Sequence, residues 1–180
     1  MANFIKKDYK MIFTEKTQFK YGEVDLYFLN KEEVLSFPHS FIITSHCFPI
    51  LNDDVLFTIN HRGIDIIGGH IGKDETPEQA LIREAREEAS IIPLNYEVIG
   101  GILVDNSNAP LAMENGYPEK GIELFYKVTQ FELLDFNPSH ESTDRIFINK
   151  NDVKEKHHKW RKAYQAVLDS CFENKYKLKM

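Results

Sequence analysis

Three glutamates in one predicted helix have the residue type and the spacing to bind a metal ion. Glu84, Glu87 and Glu88 fall within an arc of about 100° when the residues are placed at helical spacing. Like charges at these separations repel and weaken a helix by about a few tenths of a kcal/mol per pair. Because Mg²⁺ and Mn²⁺ prefer hard oxygen ligands, a divalent cation would reverse that repulsion. The spacing therefore indicates a carboxylate site for Mg²⁺ or Mn²⁺.

A glycine pair upstream of the helix decides how these glutamates are interpreted. On its own, the run from Glu84 to Ala89 is also typical of a solvated helix face with weak surface ion pairs. Gly68 and Gly69 allow the backbone to come close to a bound ion or to phosphate, because glycine has no side chain. The combination of the glycines and the carboxylates favours a metal site over a solvated surface.

The segment Gly69–Ile91 resembles the signature of the Nudix hydrolases, G-x5-E-x7-R-E-U-x-E-E-x-G-U, in which U is a bulky aliphatic residue. The positions in register with it are Gly69, Glu75, Arg83, Glu84, Glu87, Glu88 and Ile91. Ala85 is smaller than the usual aliphatic residue, Ser90 replaces the second glycine, and Ile67 stands where a proline is often found. So many fixed positions at irregular spacing make the motif specific.

The resemblance implies a set of ligands and substrate contacts. The metal ion, Mg²⁺ or Mn²⁺, would be bound by the carbonyl of Gly69 and by the carboxylates of Glu84, Glu87 and Glu88. The substrate would lie against Gly68, Gly69 and His70. For His70 the alternative interpretation is an exposed loop residue without a role.

Arg83 and the general base complete the predicted catalytic set. Arg83 lies beside Glu84 in the chain but is rotated about 100° away from it around the helix. We therefore expect Arg83 to pair with Glu75 or with a helix glutamate and to fix that side chain. The base that activates water is left open among a helix glutamate, Glu141 in a later loop and Glu123 in a predicted strand. For the last two, an ordinary surface residue and an edge-strand charge are the alternatives.

The resemblance implies a metal-dependent hydrolase that cleaves a pyrophosphate bond in a nucleoside diphosphate linked to another moiety, such as a sugar nucleotide or ADP-ribose. A bound divalent ion neutralises phosphate oxygens and lowers the pKa of a bound water. Two alternatives stay open: a nucleoside triphosphate pyrophosphatase that removes damaged nucleotides, and a non-catalytic domain that binds a nucleotide. Retention of all three glutamates argues against the second, and an isomerase would need Cys or His chemistry that the sequence does not show.

The composition of the chain limits its expected cellular location and its expected binding partners. The chain has 180 residues, a net charge of −6 and two cysteines. Its length predicts a single domain, and its two cysteines are too few for a disulfide framework. The negative charge argues against a stable nucleic-acid complex, which needs a basic surface. The basic segment 154–162 is interpreted as a solvated helix face. We expect a cytoplasmic protein with a small-molecule nucleotide substrate and no membrane segment, and we leave a homodimer open.

The elements that must position the site predict an α/β fold. Strands are expected at Lys10–Phe13, Glu23–Leu29, Ser40–Ile50, Val55–Asn60, Ile64–Ile67, Tyr96–Asp105, Gly121–Phe131 and Arg145–Ile148, and helices at Thr76–Ala89 and Asp152–Phe172. The pattern suggests helices packed on a mixed sheet, and the Nudix resemblance sharpens this to an α/β/α sandwich around a curved mixed β-sheet. Within one domain, 1–180, we expect an N-terminal extension at 1–39, a core at 40–150 and a C-terminal helix at 151–180.

Two further features affect the site indirectly. Asn106–Lys120 is a long segment rich in Asn, Pro and Gly, and we expect it to lie beside the metal helix and to contact the substrate beyond its diphosphate. A mobile surface loop is the alternative. Ser90 stands where a glycine would end the helix in the left-handed conformation. Either Ser90 adopts that conformation, at a free-energy cost of about 1 kcal/mol, or the helix ends differently.

Overall fold

Nine strands form one mixed sheet in the computed structural model, which describes residues 12–137, 141–157 and 159–173. The strands are β1 (Ile12–Phe19), β2 (Gly22–Asn30), β3 (Ile42–Leu51), β4 (Asp54–Asn60), β5 (Gly63–Asp65), β6 (Ile67–His70), β7 (Ile91–Asp105), β8 (Lys120–Leu133) and β9 (Ser142–Asn149). The helices are α1 (Lys31–Leu35), α2 (Pro77–Ala89), α3 (Pro110–Glu114), α4 (Val153–Lys156) and α5 (Lys162–Phe172), with a 3-10 turn at His39–Phe41.

The strand order explains why the sheet is mixed. The main path runs β1-β2-β7-β8-β3-β4-β5, while β6 pairs with β3 and β9 pairs with β4. The pairing of β3 with β8 is parallel, and the other described pairings are antiparallel. β3 pairs with β8 over residues 42–49, with β6 over residues 44–47 and with β4 at its last two residues. It therefore joins β6, which contains Gly68 and Gly69 and is called the glycine strand below, to the rest of the sheet.

Alternating side chains bury the two faces of the sheet under different helices. Along β8, Leu124 belongs to the core cluster under α2, whereas Phe125 belongs to the cluster under α5. On β3, Cys47 and Phe48 divide between the same two clusters. A strand with both faces covered needs apolar residues on both sides. The result is the α/β/α sandwich around an open, curved mixed sheet that the sequence predicted.

The helix that carries the glutamates begins and ends through identifiable contacts. The hydroxyl of Thr76 accepts the backbone N–H of Gln79, and the Gln79 side chain accepts the N–H of Thr76, which forms a capping box. At the other end Ser90 adopts the left-handed conformation, with φ 50°. Arg145 of β9 donates to the carbonyls of Ala89 and Ser90, so its guanidinium satisfies the end of the helix.

Several predicted elements differ from the observed ones. The glycines at 68 and 69 lie within β6, because that segment pairs with β3, and not in an open loop. The helix predicted over Asp152–Phe172 is interrupted between α4 and α5, where the buried His157 has an extended backbone and Trp160 packs on the core. The segment at 106–120 contains α3, with Ala109 and Ala112 buried.

The N-terminal strands pair into the same sheet. β1 and β2 form a hairpin, and β2 is hydrogen-bonded to β7 from Asp25–Asp105 to Asn30–Gly100. Residues 10 and 11 of the first predicted strand lie outside the described residues. The division of the chain into extension, core and terminal segment stays a prediction. Within the described part of the chain, no helix is both long and apolar enough to cross a membrane.

Candidate functional site

The glycine strand lies directly against the glutamate face of α2. A Cβ atom on Gly69 would lie 2.4 Å from Oε1 of Glu84, which is closer than van der Waals contact allows. At Gly68 the φ angle is 143°, and a Cβ atom there would lie 2.3 Å from the carbonyl oxygen of Ser45. Gly68 therefore needs glycine, since a side chain there would meet the backbone of β3, whereas a side chain at Gly69 would displace the carboxylate of Glu84.

Glu88 is fixed to this strand by a backbone hydrogen bond. The N–H of Gly68 donates to Oε2 of Glu88 at 2.9 Å. The hydroxyl of Thr58 donates to the carbonyl of Glu88 at 3.0 Å and lies 2.6 Å from the hydroxyl of Ser142. Hydrogen bonds at or next to Glu88, one of the predicted metal ligands, thus connect the end of α2 with β4, β6 and β9.

Arg83 forms a set of contacts that joins the helix to the preceding segment. Its Nε and Nη2 donate to the two oxygens of Glu75 at 2.8 and 2.9 Å. Its Nη1 donates to Oε1 of Glu84 at 2.7 Å and to Oε2 of Glu87 at 3.2 Å, and Nη2 also donates to the carbonyl of His70. Arg83 therefore pairs with Glu75 and with two helix glutamates together, where the sequence had left these partners as alternatives.

Glu75 serves as an orienting residue in this geometry. Besides the paired contacts with Arg83, its Oε2 accepts the backbone N–H of Gly72 at 2.7 Å. The hydrogen bonds from Arg83 hold the pKa of Glu75 below its usual value, and the pKa of Arg83 is raised in turn. Because both carboxylate oxygens are occupied, Glu75 fixes the arginine that contacts the other glutamates.

Glu88 carries the electrostatic signature of an acidic site. Burial, together with the nearby charges of Glu84, Asp65 and Glu141, raises the pKa of Glu88 to about 7, against the effect of the Gly68 hydrogen bond. Crowded carboxylates with a raised pKa are stabilised by a cation placed between them. The donor set of glutamate oxygens fits a hard divalent ion.

The carboxylates of this site are not yet gathered around a common point. Among residues 12–137, 141–157 and 159–173, no three His, Cys, Asp or Glu side chains are arranged to hold a metal ion together. Arg83 contacts one oxygen of Glu84 and one of Glu87, which leaves the second oxygen of each for another ligand. Binding of one ion by all three glutamates would therefore require their side chains to rotate.

Glu141 lies at the rim of the same region. Its side chain is 68% exposed and its Oε2 is 3.5 Å from Nη1 of Arg62. Residues 138–140 of the predicted loop lie outside the described residues. Since Glu141 contributes to the raised pKa of Glu88, it is close enough to influence that carboxylate, but its direct partner is an arginine.

A cavity of about 250 Å³ opens beside the glycine strand and contains residues that the sequence did not single out. His46 lines it, stacks on Phe125 at 5.1 Å, and places Nε2 3.0 Å from the hydroxyl of Thr44. Burial lowers the pKa of His46 to about 4, so the ring is neutral. The period-two alternation of β3 puts Thr44 and His46 on one face, which was the available signal.

Asp65 and Arg62 line this cavity as well. Burial acts to raise the pKa of Asp65, but hydrogen bonds from His157 and Asn60 outweigh it and hold that pKa below its usual range. Arg62 adds to this effect through an ion pair with Asp65 at 3.2 Å. An ionised aspartate and a cation therefore line the same cavity as Glu88. Their sequence context, a short turn between two strands, gave no motif.

A second cavity of about 370 Å³ lies on the other side of His70. Its aromatic wall is formed by Tyr21 and Tyr117, whose ring centroids are 5.9 Å apart, and Tyr117 is 6.4 Å from the ring of His70. Asn106 and Glu123 contribute polar groups to it. Burial raises the pKa of Glu123 to about 7, although the nearby Arg161 acts in the opposite direction.

A family model and several solved structures match this chain. The model described as NUDIX domain matches residues 42–168. Pyrophosphohydrolase BsRppH from Bacillus subtilis, solved as a mutant, is 16% identical with a TM-score of 0.59, covering 90% of this chain and 98% of the other. A MutT NUDIX hydrolase from Burkholderia pseudomallei is 15% identical with a TM-score of 0.55, covering 72% and 96%. No curated protein matches. At these identities the structures show a shared fold.

Proposed function

The chain belongs to the Nudix hydrolase family, and we propose that it is a divalent-metal-dependent enzyme that cleaves a pyrophosphate bond in a nucleoside diphosphate linked to another moiety. The family model covers most of the chain, including all of α2 and β6. The single observation that supports the proposal is the close approach of the glycine strand to two carboxylates of α2: the N–H of Gly68 donates to Glu88, and Gly69 lies against Glu84.

The proposed metal ligands are the carbonyl of Gly69 and the carboxylates of Glu84, Glu87 and Glu88. Mg²⁺ or Mn²⁺ bound there supplies charge neutralisation for the diphosphate and a water of lowered pKa. Support comes from the crowding of negative charge that raises the pKa of Glu88. In this proposal Arg83 is a positioning residue, since it contacts two of these carboxylates and is itself fixed by Glu75.

The proposed general base is a carboxylate that faces the cavity beside the glycine strand. Glu88 lines this cavity, and its Oε2 is occupied by the Gly68 N–H, which leaves Oε1 to accept a proton from the attacking water. Glu141 is the alternative base, and its ion pair with Arg62 would have to open first. Gly68, Gly69 and His70 would contact the substrate phosphates from the strand side.

The cavity with the tyrosine wall supports the expected substrate contact of the segment 106–120. Asn106 and Tyr117 come from this segment and line the cavity together with His70. The segment lies beside the glycine strand, so a diphosphate held at α2 would direct its organic part toward it. A small-molecule nucleotide is the proposed partner. A cytoplasmic location without a stable nucleic-acid complex is part of the same proposal.

A panel of nucleotides tests this function. The purified protein is incubated with ADP-ribose, sugar nucleotides and nucleoside triphosphates in Mg²⁺ or Mn²⁺, and the products are identified by mass spectrometry. We expect cleavage between two phosphates that requires metal and is abolished by excess chelator. A preference for triphosphates would favour the alternative substrate class. Absence of cleavage for every compound, in a protein shown to be folded, would contradict the proposal.

A further inference from the structure

Three polar side chains lie next to one another across three adjacent strands. His70 of β6 is paired with Thr44 of β3, and Thr44 is paired with Glu123 of β8. Paired residues on neighbouring strands project from the same face of a sheet. Phe125, two residues after Glu123, belongs to the core cluster under α5. The three side chains therefore form a polar row on that face of the sheet.

This polar row separates the two cavities of the site. His70, Thr44 and Glu123 line both the cavity beside the glycine strand and the cavity with the tyrosine wall. Of these two cavities, Glu88 lines only the one beside the glycine strand, and Tyr117 lines only the one with the tyrosine wall. A ligand that reaches from the carboxylates of α2 to the tyrosines must therefore pass over the row.

The shape of this path matches the order of the chemical groups in a nucleotide. A planar base stacks favourably on aromatic side chains such as Tyr21 and Tyr117, and a cavity of about 370 Å³ is within the range of small-molecule sites. With phosphates at α2 and the base against the tyrosines, the sugar lies between them, over the polar row. Asn106, which lines only the tyrosine cavity of the two, is then on the base side.

Glu123 is the member of the row that lacks a partner. Within the described part of the chain its carboxyl group makes no hydrogen bond or ion pair, although the side chain is more than half buried. A partly desolvated polar group without a partner is unfavourable, and a ligand that supplies hydrogen-bond donors removes that penalty. Both oxygens of a carboxylate accept hydrogen bonds, so one such group serves two adjacent hydroxyls.

We propose that Glu123 accepts hydrogen bonds from the 2′- and 3′-hydroxyls of the substrate ribose and thereby selects ribonucleotides over 2′-deoxyribonucleotides. The inference rests on the proposed function for one point, the placement of the phosphates at α2. It adds a specificity-determining residue outside the motif at 69–91. From the sequence, Glu123 is a candidate general base, whereas in this proposal Glu123 recognises the ribose hydroxyls.

Binding of nucleoside 5′-monophosphates tests the proposal, because these ligands contain no pyrophosphate bond and are not consumed. Calorimetry in Mg²⁺ compares AMP, GMP, CMP and UMP with their 2′-deoxy counterparts. For the base that binds best, we expect the ribonucleotide to bind about tenfold more tightly, as expected for hydrogen bonds to a charged group. The Glu123→Ala variant should bring the two affinities within about twofold, and Glu123→Gln should retain part of the preference.

A matched control lies on the same strand. Glu132 of β8 is exposed and lines neither cavity, so Glu132→Ala should keep the wild-type preference. Equal affinities in the wild-type protein, an unchanged ratio in Glu123→Ala, or no binding of any monophosphate would overturn the proposal. Failure of the proposed function would be a separate result. It would appear as absence of cleavage in the nucleotide panel, whatever the ratio of affinities for the ribo- and 2′-deoxyribonucleoside monophosphates.

Discussion

Arg83 and Glu75 are joined by two parallel hydrogen bonds, from Nε to Oε1 at 2.8 Å and from Nη2 to Oε2 at 2.9 Å. This forked pairing is specific to the planar guanidinium group, and lysine does not reproduce it. Because Nη1 of the same arginine contacts Glu84 and Glu87, the segment before α2 determines where those carboxylates lie.

Arg83→Lys should therefore lower turnover while the fold is retained. Lysine keeps the charge but loses the fork, and loss of a residue that orients ligands typically costs about 10- to 100-fold in activity or metal affinity. Arg86→Lys is the matched control, since Arg86 is an exposed arginine on the same helix. Steady-state kinetics over a range of Mg²⁺ concentrations measure the effect. Equal losses in both variants would contradict a specific role of Arg83.

Removing one charge at a time from the glutamate cluster tests the metal site. Glu87→Gln and Glu88→Gln should lower kcat by about 10²- to 10⁴-fold, because each removes a ligand or the base. The helix should remain folded, since loss of a mutually repelling charge does not weaken it. Glu78→Gln, in the first turn of α2 and exposed, should leave kcat unchanged. Full activity in both cluster variants would rule out this site.

The left-handed end of α2 at Ser90 gives a stability prediction. Ser90 is left-handed, so glycine would remove a penalty of about 1 kcal/mol. Its Oγ also accepts the N–H of Asn137 at 3.1 Å, and loss of that bond costs about 1 kcal/mol. We therefore expect Ser90→Gly to be close to neutral and Ser90→Ala, which keeps the strain and loses the bond, to be destabilised by about 1 kcal/mol. Chemical denaturation distinguishes the two. A clear gain for Ser90→Ala would contradict this account.

The local features of the site were predictable because short-range chemistry determines them. The helix predicted to begin at Thr76 does begin there, with Thr76 as its N-cap, and the pairing of Arg83 with Glu75 follows from the helix and the motif. The long-range pairing was not predictable. Thr44, Glu123 and His70 are far apart in sequence, and only the register of β3 with β6 and β8 brings them together.

The break between α4 and α5 was missed for a related reason. The sequence around Trp160 has helical periodicity, yet tertiary packing overrides it there. Trp160 packs against Phe48, Phe57 and His157, with ring centroids 5.3 to 6.4 Å apart. These contacts hold an aromatic cluster against the sheet, and the sequence pattern did not show them because Phe48 and Phe57 lie more than 100 residues before Trp160. Trp160 is partly buried and packs against the core cluster under α5.

Ionisation of Glu123 should make stability depend on pH. Burial raises the pKa of Glu123 to about 7, from an ordinary value of 4.5. The unfolded chain therefore loses this proton at lower pH than the folded protein, so stability should fall as the pH rises from about 4.5 to about 7. Glu123→Gln lacks this loss and should be more stable than wild type at pH 8, by about 1–3 kcal/mol, with a smaller difference at pH 4. Thermal melts with Glu132→Gln as control measure it; a pH-independent difference would contradict the prediction.

Tyr117 gives the sharpest test of substrate contact by the segment 106–120. Shortening the whole segment would expose the buried Ala109 and Ala112, so a single exposed side chain is the better target. Tyr117 is 41% exposed and contacts the rings of Tyr21 and His70. Tyr117→Ala should raise KM for the cleaved nucleotide by about 10-fold, because base stacking on an aromatic ring contributes about 1–3 kcal/mol.

The same variant should leave kcat within about twofold, because Tyr117 does not line the cavity beside Glu88. Met113→Ala is the control, since Met113 is 40% exposed in the same segment and lines neither cavity. A minimal diphosphate ester without a base should show equal KM in all three proteins, because it has no ring to stack on Tyr117. If Tyr117→Ala raised KM for both compounds alike, the tyrosine would act on the glycine strand through His70 and not on the base.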